Sequence, residues 1–321
     1  MTQPYQQSER HQSERHQSER RQLQGHAKDQ RSESHSWETW YEFFDTAYSL
    51  EERRQWYSQA ARNYHWARPR YPQELIEGVI GAAQLSTAST VLEVGCGPGI
   101  ATLDFAARGL QMHCVEPSEA ACEIARASCK DYPNIEVVES TFEEWSLEEW
   151  LAKHPPFDAV LAATSFHWLS PDVAYQKSAA ALRPNGHLIL MWATPPQLSE
   201  QLSADLQPTY EKFGLLDLWE TSYRTAGYYR KNFESFAQKV SDSGYFQPSQ
   251  VEIEAFESTY SIEKYLALLS TLSSYIALAS EKRIPLLEAI GKQLSQQLNI
   301  EANAYELETQ HWFAGQVTQR T

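Results

Sequence analysis

Beyond residue 72 the chain alternates between short apolar runs and stretches whose apolar positions recur three and four residues apart. The runs predict strands over 90–94, 111–115, 135–138, 157–162 and 187–192; the periodic stretches predict helices over 72–83, 100–108, 118–130, 147–153 and 172–182. Continuous apolar strands separated by helices are the pattern of a parallel sheet covered on both faces, so a doubly wound α/β fold is expected. After Pro195 and Pro196 the rhythm breaks. Helical, aromatic-rich sequence continues to about 243, and residues 250–260 alternate as a half-buried strand does. Helices follow over 261–280 and 281–298, and 301–313 again reads as a strand. The two late strands are expected to pair antiparallel at one edge of a mostly parallel seven-stranded sheet, with added lid and cap helices over the cleft.

The chain before residue 72 differs in kind. A pentad recurs over 7–11, 12–16 and 17–21, and the first 36 residues show no apolar period. Such a segment cannot bury enough apolar area to offset its ordering entropy, so 1–36 is expected to be a disordered tail. Its six basic and five acidic residues nearly cancel, which argues against a polybasic anchor. His11, His16 and His26, set among Gln, Ser and Arg, read as solvated groups, not metal ligands. Trp37, Trp40, Tyr41, Phe43, Phe44, Tyr48, Trp56 and Tyr57 then mark the start of the folded chain. Helices over 37–72 either pack as ordinary core or form a lid. A cap insert is expected over about 196–247, and with no second glycine-rich loop the span 37–321 reads as one elaborated domain.

Composition narrows the functions. A net charge of −15 argues against nucleic-acid binding through clustered Lys and Arg, and a small-molecule partner fits better. No apolar run approaches the roughly 18 residues of a bilayer span, and no signal core opens the chain, so a cytoplasmic protein without a membrane partner is expected. Cys96, Cys114, Cys122 and Cys129 lie in one stretch without CxxC pairs and read as reduced thiols; no metal site is expected.

Candidate chemistry concentrates at Val91-Leu92-Glu93-Val94-Gly95-Cys96-Gly97-Pro98-Gly99, an apolar strand entering a glycine turn before a helix. Glycines let the backbone approach a ligand closely, and a helix start offers free N–H groups. Glu93 suits a cationic amino-acid cofactor better than a pyrophosphate, which it would repel. Glu116, at the end of the next predicted strand and 21 residues past Gly95, is spaced to accept from ribose hydroxyls. Alternatively it caps the helix that Pro117 and Ser118 open.

These residues resemble class I S-adenosylmethionine-dependent methyltransferases. The resemblance implies a Rossmann-like fold with S-adenosyl-L-methionine as cofactor. Glu93, Gly95, Cys96, Gly97 and Gly99 would form the first motif, Glu116 would hold ribose, and Pro117 would lie against adenine. Thr141-Phe142-Glu143 resembles the segment at the adenine edge; many members carry Asp where this chain has Thr141, so a hydroxyl or backbone group would make that contact. Phe157-Asp158-Ala159-Val160, leading into Ser165-Phe166-His167-Trp168-Leu169-Ser170-Pro171-Asp172, is similar to the branch containing trans-aconitate and malonyl-carrier-protein methyltransferases, which act on carboxylates. Tyr64 and Arg68-Pro69-Arg70-Tyr71-Pro72 resemble the lid entrance of that branch, beside the cofactor.

The implied activity is methyl transfer to a small molecule, at a carboxylate or a hydroxyl oxygen. A carboxylate needs no base, whereas a hydroxyl must lose its proton. His167 is the candidate catalytic residue: with a pKa near neutrality it would orient a carboxylate or accept a hydroxyl proton, or else it packs beside Trp168. Arg68 suits a carboxylate of cofactor or acceptor. Trp168 and Trp192 are candidate substrate-lining residues, within a wider aromatic set of Tyr64, Trp66, Trp219, Tyr223, Tyr228 and Tyr229. Two other readings share the strand, turn and acid. One is an NAD-type oxidoreductase, which leaves Glu93 and the Ser165–Trp168 turn unexplained; the other is a catalytically silent cofactor-binding interaction module.

Overall fold

Val91, Leu92 and Val94 are at most 1 % exposed, as the middle strand of a sheet covered on both faces requires. The computed structural model describes residues 50–220, 224–297 and 306–321. The repeat tail, the aromatic residues from Trp37 to Tyr48, Tyr223 and the start of the expected last strand lie outside the described residues. Among the described residues eight strands form one sheet. They are β1 (Thr90–Val94), β2 (Gln111–Glu116), β3 (Ile135–Glu139), β4 (Phe157–Ala163), β5 (Leu182–Ala193), β6 (Gln197–Leu198), β7 (Val251–Tyr260) and β8 (Leu307–Gln319). The order is β3-β2-β1-β4-β5-β8, with β6 and β7 both on β8. The first five are parallel, and β8 runs antiparallel to β5 and to β7.

Six helices belong to the parallel half: α1 (Leu50–Ala67), α2 (Gln73–Ala82), α3 (Ile100–Ala106), α4 (Glu119–Ser128), α5 (Leu147–Leu151) and α6 (Pro171–Ala181). Leu75, Ile76 and Val79 of α2 and Ile100 and Phe105 of α3 pack on Val91, Met112, Leu161, Met191 and Phe313. Each such side chain contributes about 1.5–3 kcal/mol on burial. The later helices are α7 (Glu200–Lys212), α8 (Leu216–Glu220), α9 (Ala226–Asp242), α10 (Ile262–Leu269), α11 (Ser273–Ile276) and α12 (Ser280–Gln297). Leu206, Tyr210, Tyr265, Leu268, Tyr275, Leu286 and Ile290 build a second core that also takes in Ala67 from the end of α1.

The expected parallel half and antiparallel edge are present, with four differences. The two-residue β6 makes eight strands where seven were expected. The last strand continues past 313, because Gln316 and Thr318, although polar, are buried with partners at Ser249 Oγ and the Gln247 carbonyl. The single helix expected over 261–280 breaks into α10 and α11 around Thr271. The expected cap insert divides: α7 and α8 pack with α12, whereas α9 sets Tyr229 and Phe233 against Trp312 and Trp192 of the sheet.

No described helix is long and apolar enough to cross a membrane. The four cysteines are free and buried.

His311 in β8 is 3 % exposed, and burial lowers its pKa to about 4. The unfolded chain takes up that proton near 6.5, so between these values it binds more protons than the fold. The stability that His311 contributes is therefore complete above pH 6.5 and lost as pH falls toward 4. The melting temperature of His311→Gln is expected to fall less steeply over this interval than that of the wild type. Identical pH slopes in scanning calorimetry would clear His311 of this acid sensitivity.

Candidate functional site

The chain leaves β1 through Gly95, whose φ is +67° and whose N–H donates to the Val115 carbonyl at 2.8 Å. A Cβ there would stand 2.7 Å from Ser165 Cβ, so both conformation and space exclude a side chain. Gly97, at φ +54°, differs: a Cβ would meet nothing within 4 Å. That open space is what a ligand approaching the backbone requires. Gly99 closes the turn as the N-cap of α3.

Two carboxylates flank the turn. Glu116 is 7 % exposed, with one oxygen accepting from Gly97 N–H and the other from Ser118 N–H, each at 2.9 Å. It thus braces the glycine turn and the start of α4 together. A carboxylate has about four acceptor positions, so about two remain for hydroxyl donors. Glu93 is 1 % exposed; its Oε2 accepts from Thr102 Oγ1 at 2.6 Å and from Cys114 Sγ at 3.6 Å. Its Oε1 has no partner among the described residues. Burial pushes the Glu93 pKa up to about 7, opposed by the Thr102 and Cys114 bonds and reinforced by Glu116 and Asp104. Cys96 packs under the turn, where its hydrogen bond with Cys114 and then burial raise its pKa well above the ordinary thiol value.

Thr141 closes a turn with Glu144, accepting from its N–H and donating to Oε2, each at 3.1 Å. Phe142 is 2 % exposed, with Lys177 Nζ 5.2 Å from its ring centre. Of these two, only the half-buried Thr141 has surface to offer a ligand. Pro117 is half-buried beside Glu116.

On the other side of β1, Thr164 ends β4 at φ +58°. Its N–H donates to the Met191 carbonyl at 2.7 Å, and its Oγ1 accepts from Ala193 N–H at 3.1 Å. Ser165 Oγ donates to the Val94 carbonyl, tying the following turn to the end of β1. His167, half-buried in that turn, has its pKa pushed to about 3 by burial and by the Arg68 guanidinium. It is therefore neutral at physiological pH, and the near-neutral pKa expected from the sequence is corrected. Trp168 meets Tyr57 edge to face at 5.5 Å. Trp192 is 1 % exposed and packs on Phe233 and Phe236. Because α9 covers it, it offers no surface to a substrate.

Arg68 Nε donates to Thr271 Oγ1 at 2.8 Å and Nη2 to the Thr271 carbonyl at 3.0 Å. Its guanidinium lies 4.8 Å from the ring centre of Tyr64. No carboxylate pairs with Arg68 among the described residues. Of the wider aromatic set, Trp66 is exposed, Trp219 Nε1 donates to the Ser203 carbonyl, and Tyr229 is buried against Gln197. Thr102, Thr164 and Thr271 were not anticipated; Thr102, three residues past Gly99, and Thr164, just before Ser165, stood close enough to a motif to be found from sequence.

The methyltransferase domain family matches residues 91–186, from β1 into β5. The chain is 31 % identical over 175 residues to an uncharacterised methyltransferase of Mycobacterium tuberculosis, spanning 52 % of this chain and 67 % of that protein. It is 28 % identical over 130 residues to an uncharacterised methyltransferase of Schizosaccharomyces pombe, spanning 40 % and 49 %. A solved structure of a candidate type II methyltransferase from Anaeromyxobacter dehalogenans shares the fold, with a TM-score of 0.50 and 20 % identity over 78 % of this chain and 97 % of its own. The chain belongs to the class I S-adenosylmethionine-dependent methyltransferases, and S-adenosyl-L-methionine is the cofactor of that class. The oxidoreductase and silent-module readings fall away with this membership.

The residues present fit the cofactor. The unpartnered Glu93 oxygen could hold its ammonium group, the open side of Gly97 could admit it, and Glu116 has acceptor positions left for ribose. A cation beside Glu93 favours the charged carboxylate, so cofactor affinity is expected to rise with pH through about 7 and then level. Below that pH, binding should release up to about one proton per site. Calorimetry in buffers of different ionisation heat reads the release, and Glu93→Gln is expected to abolish it. Release that persists in Glu93→Gln would assign the proton to another group.

Proposed function

We propose that this methyltransferase acts on a small acidic molecule and places the methyl group on a carboxylate oxygen. The observation that carries this reading is Arg68, a half-buried guanidinium that donates to neutral Thr271 atoms, has no carboxylate partner among the described residues and lies near a neutral His167. A partly desolvated cation without a counter-charge is costly, and a bidentate carboxylate is its natural complement. His167, with a pKa of about 3, is a poor proton acceptor at neutral pH and so suits an acceptor already ionised. The similarity of the Ser165–Trp168 turn to the branch of trans-aconitate and malonyl-carrier-protein methyltransferases supports the same acceptor. The net charge of −15 favours a small molecule over a nucleic acid.

When bound, S-adenosylmethionine supplies an electrophilic methyl group on a positively charged sulfur, open to in-line displacement. The chain's own contribution is alignment and exclusion of water, together worth up to roughly 7–11 kcal/mol for a well-held pair. Glu116 would accept from the ribose hydroxyls while holding the Gly97 turn, and Glu93 would hold the ammonium. Arg68 would clamp the acceptor carboxylate, with His167 donating a ring N–H to it and Trp168 walling the pocket.

In this reading α1 is the lid. Arg54 bonds Glu139 at the end of β3 at 2.7 Å, Ser58 bonds Ser118 past β2 at 2.8 Å, His65 lies by the Pro98 carbonyl past β1, and Arg68 lies near enough to His167 past β4 to lower its pKa. These positions fall within an arc of roughly 80° on the helix, at about 100° per residue. One face of α1 thus follows the strand ends in the order in which the strands lie in the sheet.

The test is methyl transfer from labelled S-adenosylmethionine to a panel of small carboxylic acids, phenols and RNA. Base-labile methyl esters are expected. Arg68→Met should raise KM for the accepted acid about 10-fold or more, with a smaller effect on turnover at saturating acid. Label entering phenols or RNA while the acids stay inert would overturn the proposal.

A further inference from the structure

Tyr71 lies between α1 and α2, 6 % exposed, with its ring 5.6 Å from that of Phe313. Its hydroxyl shares a 2.7 Å hydrogen bond with Thr164 Oγ1. Thr164 is β-branched yet sits in the left-handed region, an uncommon and costly conformation that must be held by its surroundings. What holds it is β5: the bonds to the Met191 carbonyl and from Ala193 N–H fix both its backbone and its hydroxyl oxygen. Thr164 is thus a rigid post standing where the sheet meets the His167 turn.

Two residues, Pro69 and Arg70, separate Arg68 from Tyr71, and Pro69 and Pro72 stiffen the segment between and after them. Where Tyr71 is held, Arg68 and the end of α1 are held too. On its other flank the same stretch is fastened to the end of β7 and the α10–α11 junction: Tyr260 Oη donates to the Ala67 carbonyl at 2.8 Å, Asn63 bonds Ser270 at 2.9 Å, and Arg68 bonds Thr271. The Arg54–Glu139 pair nearer the start of α1 is exposed, and such surface pairs are weak.

We infer that the Tyr71–Thr164 hydrogen bond is a latch coupling the lid and cap to the ends of β4 and β5, and that Tyr71 is a positioning residue that slows cofactor escape by holding α1 and Arg68 in place. Ala193 N–H occupies one lone pair of Thr164 Oγ1, and the bond to Tyr71 Oη uses either the threonine proton or its second lone pair. Removing the tyrosine oxygen opens the latch and leaves that group of Thr164 without this partner. The inference rests on the reading of α1 as lid, and its test keeps the two apart.

The probe is S-adenosylmethionine itself. Its dissociation rate is measured by stopped flow for the wild type, Tyr71→Phe, Thr164→Val, Thr164→Ser and the double variant Tyr71→Phe/Thr164→Val. Hydrogen exchange over residues 54–72 is followed with and without the cofactor. Tyr71→Phe and Thr164→Val are each expected to speed dissociation by about 5- to 10-fold. The double variant should be no faster than either single one. Thr164→Ser, which keeps the hydroxyl, should restore the slow rate, a result that loss of packing alone would not give. A folded Tyr71→Phe that releases cofactor at the wild-type rate, with residues 54–72 equally protected, overturns the latch and leaves the lid standing. No gain of protection in the wild type on binding overturns the lid reading itself. If Tyr71→Phe fails to fold, the Thr164→Val and Thr164→Ser pair decides the question by the same rates.

Discussion

Two backbone N–H groups, from Gly97 and Ser118, converge on one carboxylate, and the cofactor side of the molecule is arranged around that convergence. A turn with three glycines at positive φ leaves donors that the strand and helix on either side cannot satisfy. Glu116 satisfies both with charge-assisted bonds while keeping acceptor positions toward the crevice. Through Ser118, which caps α4 and also bonds Ser58, the same carboxylate is linked to α1. One buried acid thus connects the glycine turn, α4 and α1.

The acids and the cation come from different elements: Glu93 lies within β1 and Glu116 ends β2, whereas Arg68 follows α1 and a neutral His167 follows β4. A cationic donor and an anionic acceptor would each find a counter-charge, and the reaction between them diminishes both charges. A crevice poor in water favours such a step, because the charge-dispersed transition state loses less solvation than the separated ions.

The parallel half was legible because its signals are local. β1 occupies the residues its apolar run predicted, and Glu116 was readable from spacing alone, although the sequence posed ribose acceptor and helix-cap partner as alternatives and the structure gives one group suited to both. What escaped detection depends on distant chain. Thr271 meets Arg68 across 203 positions, and no local pattern marks it. β8 outran its apolar stretch because pairing on two sides and partners for Gln316 and Thr318 offset the cost of burying polar groups. The neutrality of His167 comes first from burial and then from Arg68, and the enclosure of Trp192 from α9, none of which a local pattern marks.

β8, last of the strands in chain order, does not add to a finished edge; it enters between β5 and β7. Until it arrives, β5 presents a bare edge and the cap core lacks Leu307. The units from β1 to β5 join neighbouring stretches and can form early, whereas this insertion must close a loop of roughly 110 residues. During synthesis the molecule therefore passes through a stage in which the glycine turn and Glu116 are assembled while the second core still lacks Leu307. A ligand that binds only the assembled part stabilises it by mass action, so the cofactor could serve as a folding partner for the nascent enzyme before that core closes.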